Sequence, residues 1–396
     1  MADSTAKQGA PALGVAMVGY SFMGAAHSQA WSVAPRFFDL PLHPRMLVVA
    51  GRQAGPVEAA ARRLGWEGST TDWRSLLERD DVDLVDVCTP GDTHAEIAVA
   101  ALEAGKHVLC EKPLANSVAE AQVMVDAAEK AAVAGVRATV GFTYRRVPAI
   151  ALARQLVAEG RVGTVRHVRA QYLQDWIADE QAPMSWRLEK EKAGSGALGD
   201  IGAHVVDLAQ HVTGELLTGV SGLLRTFVEE RPLPGAGGGA LGGTAGEGTG
   251  VVTVDDAAVF SGRLSGGGLA TFEATRFAWG RKNAIRLEIN GSKGSLAFDF
   301  EDMNVLHYYD ATEDARVAGF RRIYVTEPEH PYVGAWWPAG HGLGYEHGFV
   351  HQVVDLVGAL AAQEDPAPTF ADGLQVQKVL AAVERSSAEG CAWQQL

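Results

Sequence analysis

Short apolar runs alternate with amphipathic stretches through the first third of the chain. Residues 14–19, 45–50, 83–88, 106–110 and 136–142 are largely apolar without a polar alternation, so each reads as a strand buried on both faces. Residues 23–33, 56–64, 73–78, 93–104 and 117–134 have helical character instead. In 93–104, Ile97, Ala98, Ala101 and Leu102 share one face and Gly105 ends the segment. Strands and helices in strict alternation predict a parallel sheet covered on both sides.

The pattern then changes. Residues 164–175 alternate as one long strand, and 203–212 are helical. Further strand-like runs follow at 220–229, 251–264, 269–277, 284–290, 294–299 and 305–309, with turns such as Asn290-Gly291-Ser292-Lys293-Gly294 between them. The expectation is an α+β domain on an open, mostly antiparallel sheet. Helices at 345–363 and 372–387 close the chain, and no repeat is visible. Between 235 and 250, nine of sixteen residues are glycine, which predicts a mobile surface loop. The predicted organisation is a flexible tail over 1–13, an α/β domain over 14–146 and an α+β domain over 147–396.

Composition narrows the class. The 396 residues suit about two domains, and 47% hydrophobic with 21% charged residues is an ordinary globular balance. Lys+Arg is 34 and Asp+Glu 48, so the net charge of −14 repels phosphate backbones and argues against a general nucleic-acid binder. No apolar run approaches the ~18 residues of a membrane span. The first twelve residues lack a charged region followed by an apolar one, so no secretory signal is expected and the protein is placed in the cytoplasm. Cys88, Cys110 and Cys391 have no metal spacing and cannot make a disulfide framework.

Chemistry enters at Gly19-Tyr-Ser-Phe-Met-Gly24, between the first strand and the first helix. Gly-x-Gly-x-x-Gly in that place lets a backbone turn approach a dinucleotide pyrophosphate at a helix N-terminus. Here Ser21 replaces the middle glycine and is small enough to keep the approach. The other reading is an ordinary strand–turn–helix. After the second strand comes Gly51-Arg52-Gln53, with no carboxylate for the ribose hydroxyls. That absence favours NADP over NAD, with Arg52 on a 2′-phosphate or stacked on adenine; a solvated surface arginine is the alternative. Ligands of open α/β sheets gather at the carboxyl ends of the strands. The cofactor-binding candidates are therefore Gly19, Ser21, Phe22, Met23, Gly24, Gly51, Arg52, Thr89, Pro90, His94, Glu111 and Lys112.

Lys112, directly after the fourth strand, would meet the nicotinamide end. Its ammonium would stabilise an alkoxide developing as hydride leaves, with Glu111 orienting it. The bland reading is a charge pair before Pro113. Gly199-Asp200-Ile-Gly-Ala-His204 falls at a helix start, with Asp200 and His204 one turn apart. Such a pair resembles a general base supported by a carboxylate. A helix-capping Asp200 and a core His204 remain open beside it.

The glycine turn, Glu111-Lys112-Pro113 and Gly199–His204, in this order and spacing, resemble the Gfo/Idh/MocA oxidoreductases. Tyr144-Arg-Arg-Val-Pro148, Tyr172-Leu-Gln-Asp-Trp176, Ser185-Trp-Arg187, the run from Ala193 to Asp200, Glu273-Ala-Thr-Arg276 and the run from Pro368 to Gly373 resemble levoglucosan dehydrogenase-like sugar dehydrogenases within that family. The resemblance implies a Rossmann domain followed by an α+β domain. It also implies NAD(P)-dependent hydride transfer at a carbinol or ketone of a sugar, anhydrosugar or cyclitol. Lys112, Asp200 and His204 match the catalytic positions, with His204 as acid/base.

Tyr144, Tyr172, Gln174, Asp175, Trp176, Trp186 and Arg187, with Asp200 and His204, have the aromatic and polar mix of a sugar site; core packing is the other reading for the two tryptophans. His341, Tyr345, His347 and His351 are read as pocket-lining or solvated rather than zinc-binding, so no metal is expected. A homodimer or homotetramer through the open sheet face is expected. Two other readings stay open: a family glycosidase using the cofactor transiently, and a non-catalytic NAD(P)-binding sensor.

Overall fold

The computed structural model describes residues 9–235 and 244–396. The chain divides into two compact units, one of 1–115, 119–143 and 344–374, the other of 116–118, 144–343 and 375–396.

The first unit is built on a six-stranded sheet of β1 (Ala12–Val18), β2 (His43–Ala50), β3 (Gly68–Thr70), β4 (Leu84–Val87), β5 (His107–Cys110) and β6 (Ala138–Val140). All pairings are parallel, in the order β3-β2-β1-β4-β5-β6. The chain steps outward from β1 on one side and returns to its other side at β4. That reversal leaves a crevice at the carboxyl ends of β1 and β4, the usual place for a ligand in such sheets. Leu13, Val15 and Met17 alternate with Ala16 and Val18, and all five are buried, as a strand covered on both faces requires.

The helix Tyr345–Ala362 packs on the helix Phe22–Phe37 of this unit. Its sequence had suggested membership of the second domain. The grouping follows from side chains: Tyr345 stacks on Phe22 with ring centroids 6.3 Å apart, and Phe349 lies 5.5 Å from the His27 ring. His347 accepts the Gly344 N–H at the start of that helix, and His351 is buried 6.0 Å from the Phe38 ring.

The second unit carries a nine-stranded sheet of β7 (Val165–Leu173), β8 (Leu217–Arg225), β11 (Ala257–Leu264), β12 (Leu269–Thr275), β13 (Ala284–Gly291), β14 (Gly294–Asp299), β15 (Val305–Asp310), β16 (Arg321–Tyr324) and β17 (Gln394–Gln395). The order is β16-β15-β14-β13-β7-β12-β11-β8-β17. Among the described strands of this sheet, only β7 and β12 pair in parallel. In β11, Ala258, Phe260 and Leu264 point into the core while Val259, Ser261 and Arg263 point out. Phe260 stacks on its cross-strand partner Phe272 at 4.6 Å. The helices Pro148–Ala158 and Ala203–Thr213 pack on each other, and the latter covers β7 and β13.

The glycine-rich segment corrects an expectation. β9 (Glu230–Pro234) and β10 (Ala245–Val251) form an antiparallel ribbon, so part of the expected loop 235–250 is strand; residues 236–243 lie outside the described residues, as do 1–8 of the expected tail. Strand pairing needs backbone partners rather than apolar side chains, and β9 is anchored from within. The buried Arg231 donates to the Ile177 carbonyl at 2.7 Å and to the Asp179 carbonyl at 2.8 Å. Among the described residues no helix is long and apolar enough to cross a membrane.

One histidine of this unit sets a pH limit. Burial, with Arg145, Arg154 and Arg146 nearby, pushes His211 down to about 3. The folded ring is therefore neutral where the unfolded one, near ~6.5, takes a proton, and stability falls as pH drops from about 6.5 toward 3. His211→Gln removes that proton uptake. Its melting temperature should gain on the wild type as pH falls from about 8 to about 5; a constant difference across that range would refute the assignment.

Candidate functional site

In the first unit the turn after β1 packs tightly against the neighbouring strand and helix through two glycines. Gly19 has φ +101°, and a Cβ there would lie 2.6 Å from the Cys88 carbonyl oxygen. A Cβ on Gly24 would lie 2.2 Å from the Gly19 oxygen, so helix and strand meet only because both residues lack side chains. Ser21 caps the helix Phe22–Phe37 from an extended backbone, yet its hydroxyl makes no capping bond. The first-turn N–H groups, those of Met23 and Gly24 among them, therefore take no bond from the Ser21 hydroxyl, which leaves a helix N-terminus of the kind that can receive an anion. These features fit a dinucleotide pyrophosphate.

Gly51 follows β2, and a Cβ there would lie 2.0 Å from Cε1 of Tyr20. The tyrosine ring occupies the space that a carboxylate at position 51 would need, and Arg52 beside it is exposed. His94 is buried, with its ring nitrogens 2.9 Å from the Thr89 carbonyl and 3.0 Å from the Pro113 carbonyl. It ties together the loops after β4 and β5, and so supports Thr89 and Pro90 instead of offering a ring nitrogen to a ligand. Glu111 is buried as well. One carboxylate oxygen accepts the Lys112 backbone N–H at 3.1 Å, which fixes the chain where Lys112 leaves the sheet.

In the second unit an aromatic and amide cluster surrounds His204. The Tyr144 ring meets the imidazole edge-on at 4.7 Å, and the Tyr172 ring lies 5.8 Å away. The two tyrosine hydroxyls are 2.9 Å apart, and Tyr172 donates to Asn283 Oδ1 at 2.6 Å. Gln174 donates to the same Asn283 oxygen at 3.0 Å and accepts from Trp176 Nε1 at 3.1 Å. Tyr144, Tyr172, Gln174 and Trp176 thus form one hydrogen-bonded group with Asn283.

Asp200 departs from the expected helix. It lies in a π-helical turn, Leu198–Gly202, that precedes the helix Ala203–Thr213 carrying His204. Such turns widen the helix and recur at functional sites. The buried Asp255 shapes this one by accepting the Gly196 and Leu198 N–H groups at 2.7 and 2.8 Å. Behind Asp200 stands Arg276, whose side chain is fully buried. Its Nη1 lies 3.6 Å from Asp200 Oδ2, its guanidinium sits 5.4 Å over the Trp176 ring, and Nε has no hydrogen-bond partner. Arg187 lies over Trp186 at 4.4 Å; burial lowers its pKa while Asp200 opposes the shift. Asp175 is occupied elsewhere, bonded to Lys282 at 2.7 Å and to the Gly280 N–H at 3.0 Å. The sequence does not mark Arg276, Asn283 or Tyr20 as site residues, although Arg276 ends the Glu273–Arg276 segment and Tyr20 lies inside the Gly19–Gly24 turn.

Residues 13–142 match the model of an oxidoreductase family with an NAD-binding Rossmann fold, and residues 150–297 match a GFO/IDH/MocA C-terminal domain. Levoglucosan dehydrogenase of Pseudarthrobacter phenanthrenivorans is 43% identical over 381 residues, covering 95% of this chain and 96% of the relative. The chain belongs to the Gfo/Idh/MocA oxidoreductases. A crystal structure of an oxidoreductase domain protein from Kribbella flavida superposes with a TM-score of 0.93 at 70% identity, over 97% of this chain and 99% of that one. A levoglucosan dehydrogenase in complex with NADH and levoglucosan superposes with a TM-score of 0.90 at 40% identity, again over 97% and 99%. The Gfo/Idh/MocA architecture expected from the motifs is therefore present: an NAD-binding Rossmann domain, then a domain on a mostly antiparallel sheet.

Proposed function

We propose that this Gfo/Idh/MocA oxidoreductase oxidises a secondary alcohol of a sugar, anhydrosugar or cyclitol with NAD. The observation that carries the reading is the group around His204: an imidazole beside two tyrosine rings, a hydrogen-bonded Gln174–Asn283–Trp176 set, and Asp200 against Arg276. Aromatic faces receive the C–H side of a sugar while amides and carboxylates pair with its hydroxyls. His204 takes the hydroxyl proton, Asp200 accepts from a neighbouring hydroxyl, and the Lys112 ammonium stabilises the alkoxide. Trp186 and Arg187 extend the substrate side. The nicotinamide supplies the hydride acceptor. Gly19, Ser21, Phe22, Met23 and Gly24 hold its dinucleotide at the pyrophosphate, Gly51 and Arg52 at the adenosine end, and Thr89 and Pro90 along the crevice.

The missing carboxylate after β2 had favoured NADP. The Tyr20 ring against Gly51 accounts for that absence by space alone, and relatives have been captured with NADH, so NAD is the cofactor proposed. Any use of NADP would rest on Arg52. Arg52→Ala should weaken NADP⁺ about tenfold and NAD⁺ less than about threefold, because only the former carries a 2′-phosphate. Equal losses would leave Arg52 with the adenine face.

The open face of the nine-stranded sheet is proposed to pair with a second copy in a homodimer or homotetramer. It mixes the Arg169–Glu288 and Arg286–Asp299 ion pairs with exposed Val259 and Leu269, the composition of an interface rather than a core. The protein would draw on the cytoplasmic NAD pool. A panel of sugars, anhydrosugars and cyclitols assayed for NADH and NADPH formation tests the reading. Net NADH accumulating with sugar oxidised is the expected result. Glycoside cleavage without net NADH, or cofactor binding without turnover, would replace it by the glycosidase or the sensor.

A further inference from the structure

Three ionisable side chains are buried together in the first unit, and two of them, His27 and Asp86, have no place in the reaction as assigned. His27, on the helix that begins at the cofactor turn, is 1% exposed; Asp86 on β4 is 0% and Glu111 after β5 is 4% exposed. His27 Nδ1 lies 2.9 Å from Asp86 Oδ1, and Nε2 lies 2.9 Å from Glu111 Oε1. A carboxyl group on each side of the ring suits an imidazolium that donates from both nitrogens. Burial disfavours that charge more than any single neighbour favours it, but Asp86 and Cys88 together outweigh burial and hold the pKa of His27 well above its ordinary value. Trp31 Nε1 completes the Asp86 side at 2.7 Å.

The far end of this network is the chain at Lys112. Glu111 accepts from His27 through one oxygen and from the Lys112 backbone N–H through the other. A Cβ on Gly141 would lie 2.8 Å from Glu111 Oε1, so the glycine leaves the room this carboxylate uses. Buried charge networks are poor stabilisers compared with apolar packing of the same volume, while their geometry is demanding. A network spanning a helix, a strand and a loop is better explained by what it aligns. We propose that His27 is a positioning residue for Lys112, acting through Glu111, so that the helix beginning at the pyrophosphate turn and the lysine loop move as one body. The inference rests on the reading that Lys112 acts on the reacting oxygen.

The test uses His27→Gln, which keeps hydrogen-bonding ability without the charge, and Glu111→Gln as the milder second variant. Each should lower kcat about tenfold, the scale expected when a catalytic group is displaced by less than an ångström. KM and the NADH dissociation constant, read by fluorescence titration, should stay within about twofold. In a Lys112→Ala background, either second substitution should cost less than about twofold more, because the group being positioned is gone. Full multiplicative losses in that background, or an NADH affinity that falls in step with kcat, would reduce the network to a folding role. If Lys112→Ala by itself leaves turnover intact, the catalytic reading of Lys112 fails instead, and the two failures are distinguishable.

Discussion

Lys112→Ala should lower kcat about a hundredfold or more while the NADH dissociation constant stays within about twofold. As hydride departs from a carbinol carbon, its oxygen gathers negative charge. A fixed ammonium stabilises that charge only while it develops, so the loss falls on turnover and not on ground-state binding. The position suits the role, since Lys112 leaves the carboxyl end of a central parallel strand and its backbone N–H is held by the buried Glu111. Lys112→Arg should recover part of the rate, because it restores a cation in a larger, differently shaped donor. With substrate deuterated at the oxidised carbon, the isotope effect on kcat should grow in the alanine variant as hydride transfer becomes limiting. Unchanged turnover, or a loss confined to KM, would remove Lys112 from the chemistry.

The first unit was the more legible half, and the reason is local. A continuous apolar run ending in Gly19, followed by a helical pattern, specifies strand, turn and helix from neighbouring residues alone. The domain border expected near Arg145–Ile150 lies close to the division of the two units between Thr143 and Tyr144, and Pro148 there is the first residue of the helix Pro148–Ala158, where its missing N–H costs nothing. The ribbon β9–β10 escaped notice because its glycines carry no alternation, and pairing there depends on Arg231 bonding to carbonyls fifty residues away. The helix Tyr345–Ala362 has an apolar face like any other, and nothing in it says that the face belongs against Phe22 and His27.

The site shows the same division. Asp200 and His204 were visible as a spaced pair, but the π-helical turn beneath Asp200 is imposed by Asp255, a residue with no motif of its own. Asn283 and Arg276 reach Tyr172 and Asp200 only because β13 and β12 flank β7. A carboxylate backed by a buried guanidinium cannot be inferred from spacing, since the partners are 76 residues apart and share no element (276 − 200).

His204→Asn should slow alcohol oxidation and ketone reduction alike, by about a hundredfold or more, because one group takes the proton in one direction and returns it in the other. Asparagine fits beside the Tyr144 and Tyr172 rings without a large change of volume, and the hydroxyl network through Asn283 has its own partners. The variant should therefore fold, and it should bind NADH nearly as the wild type does, since the cofactor is assigned to the first unit. The pH profile separates a base from a core histidine. Wild-type oxidation should decline on the acid side as the imidazole takes a proton and can no longer accept one from the substrate. Asparagine has no such titration, so the acid limb should flatten in the variant. Reduction should show the opposite dependence in the wild type, favoured where the ring is protonated, and should lose it in the variant. If His204→Asn keeps the wild-type rate and the same acid limb, the ring only fills space beside the tyrosines, and the proton acceptor is to be sought at Lys112 or Tyr172.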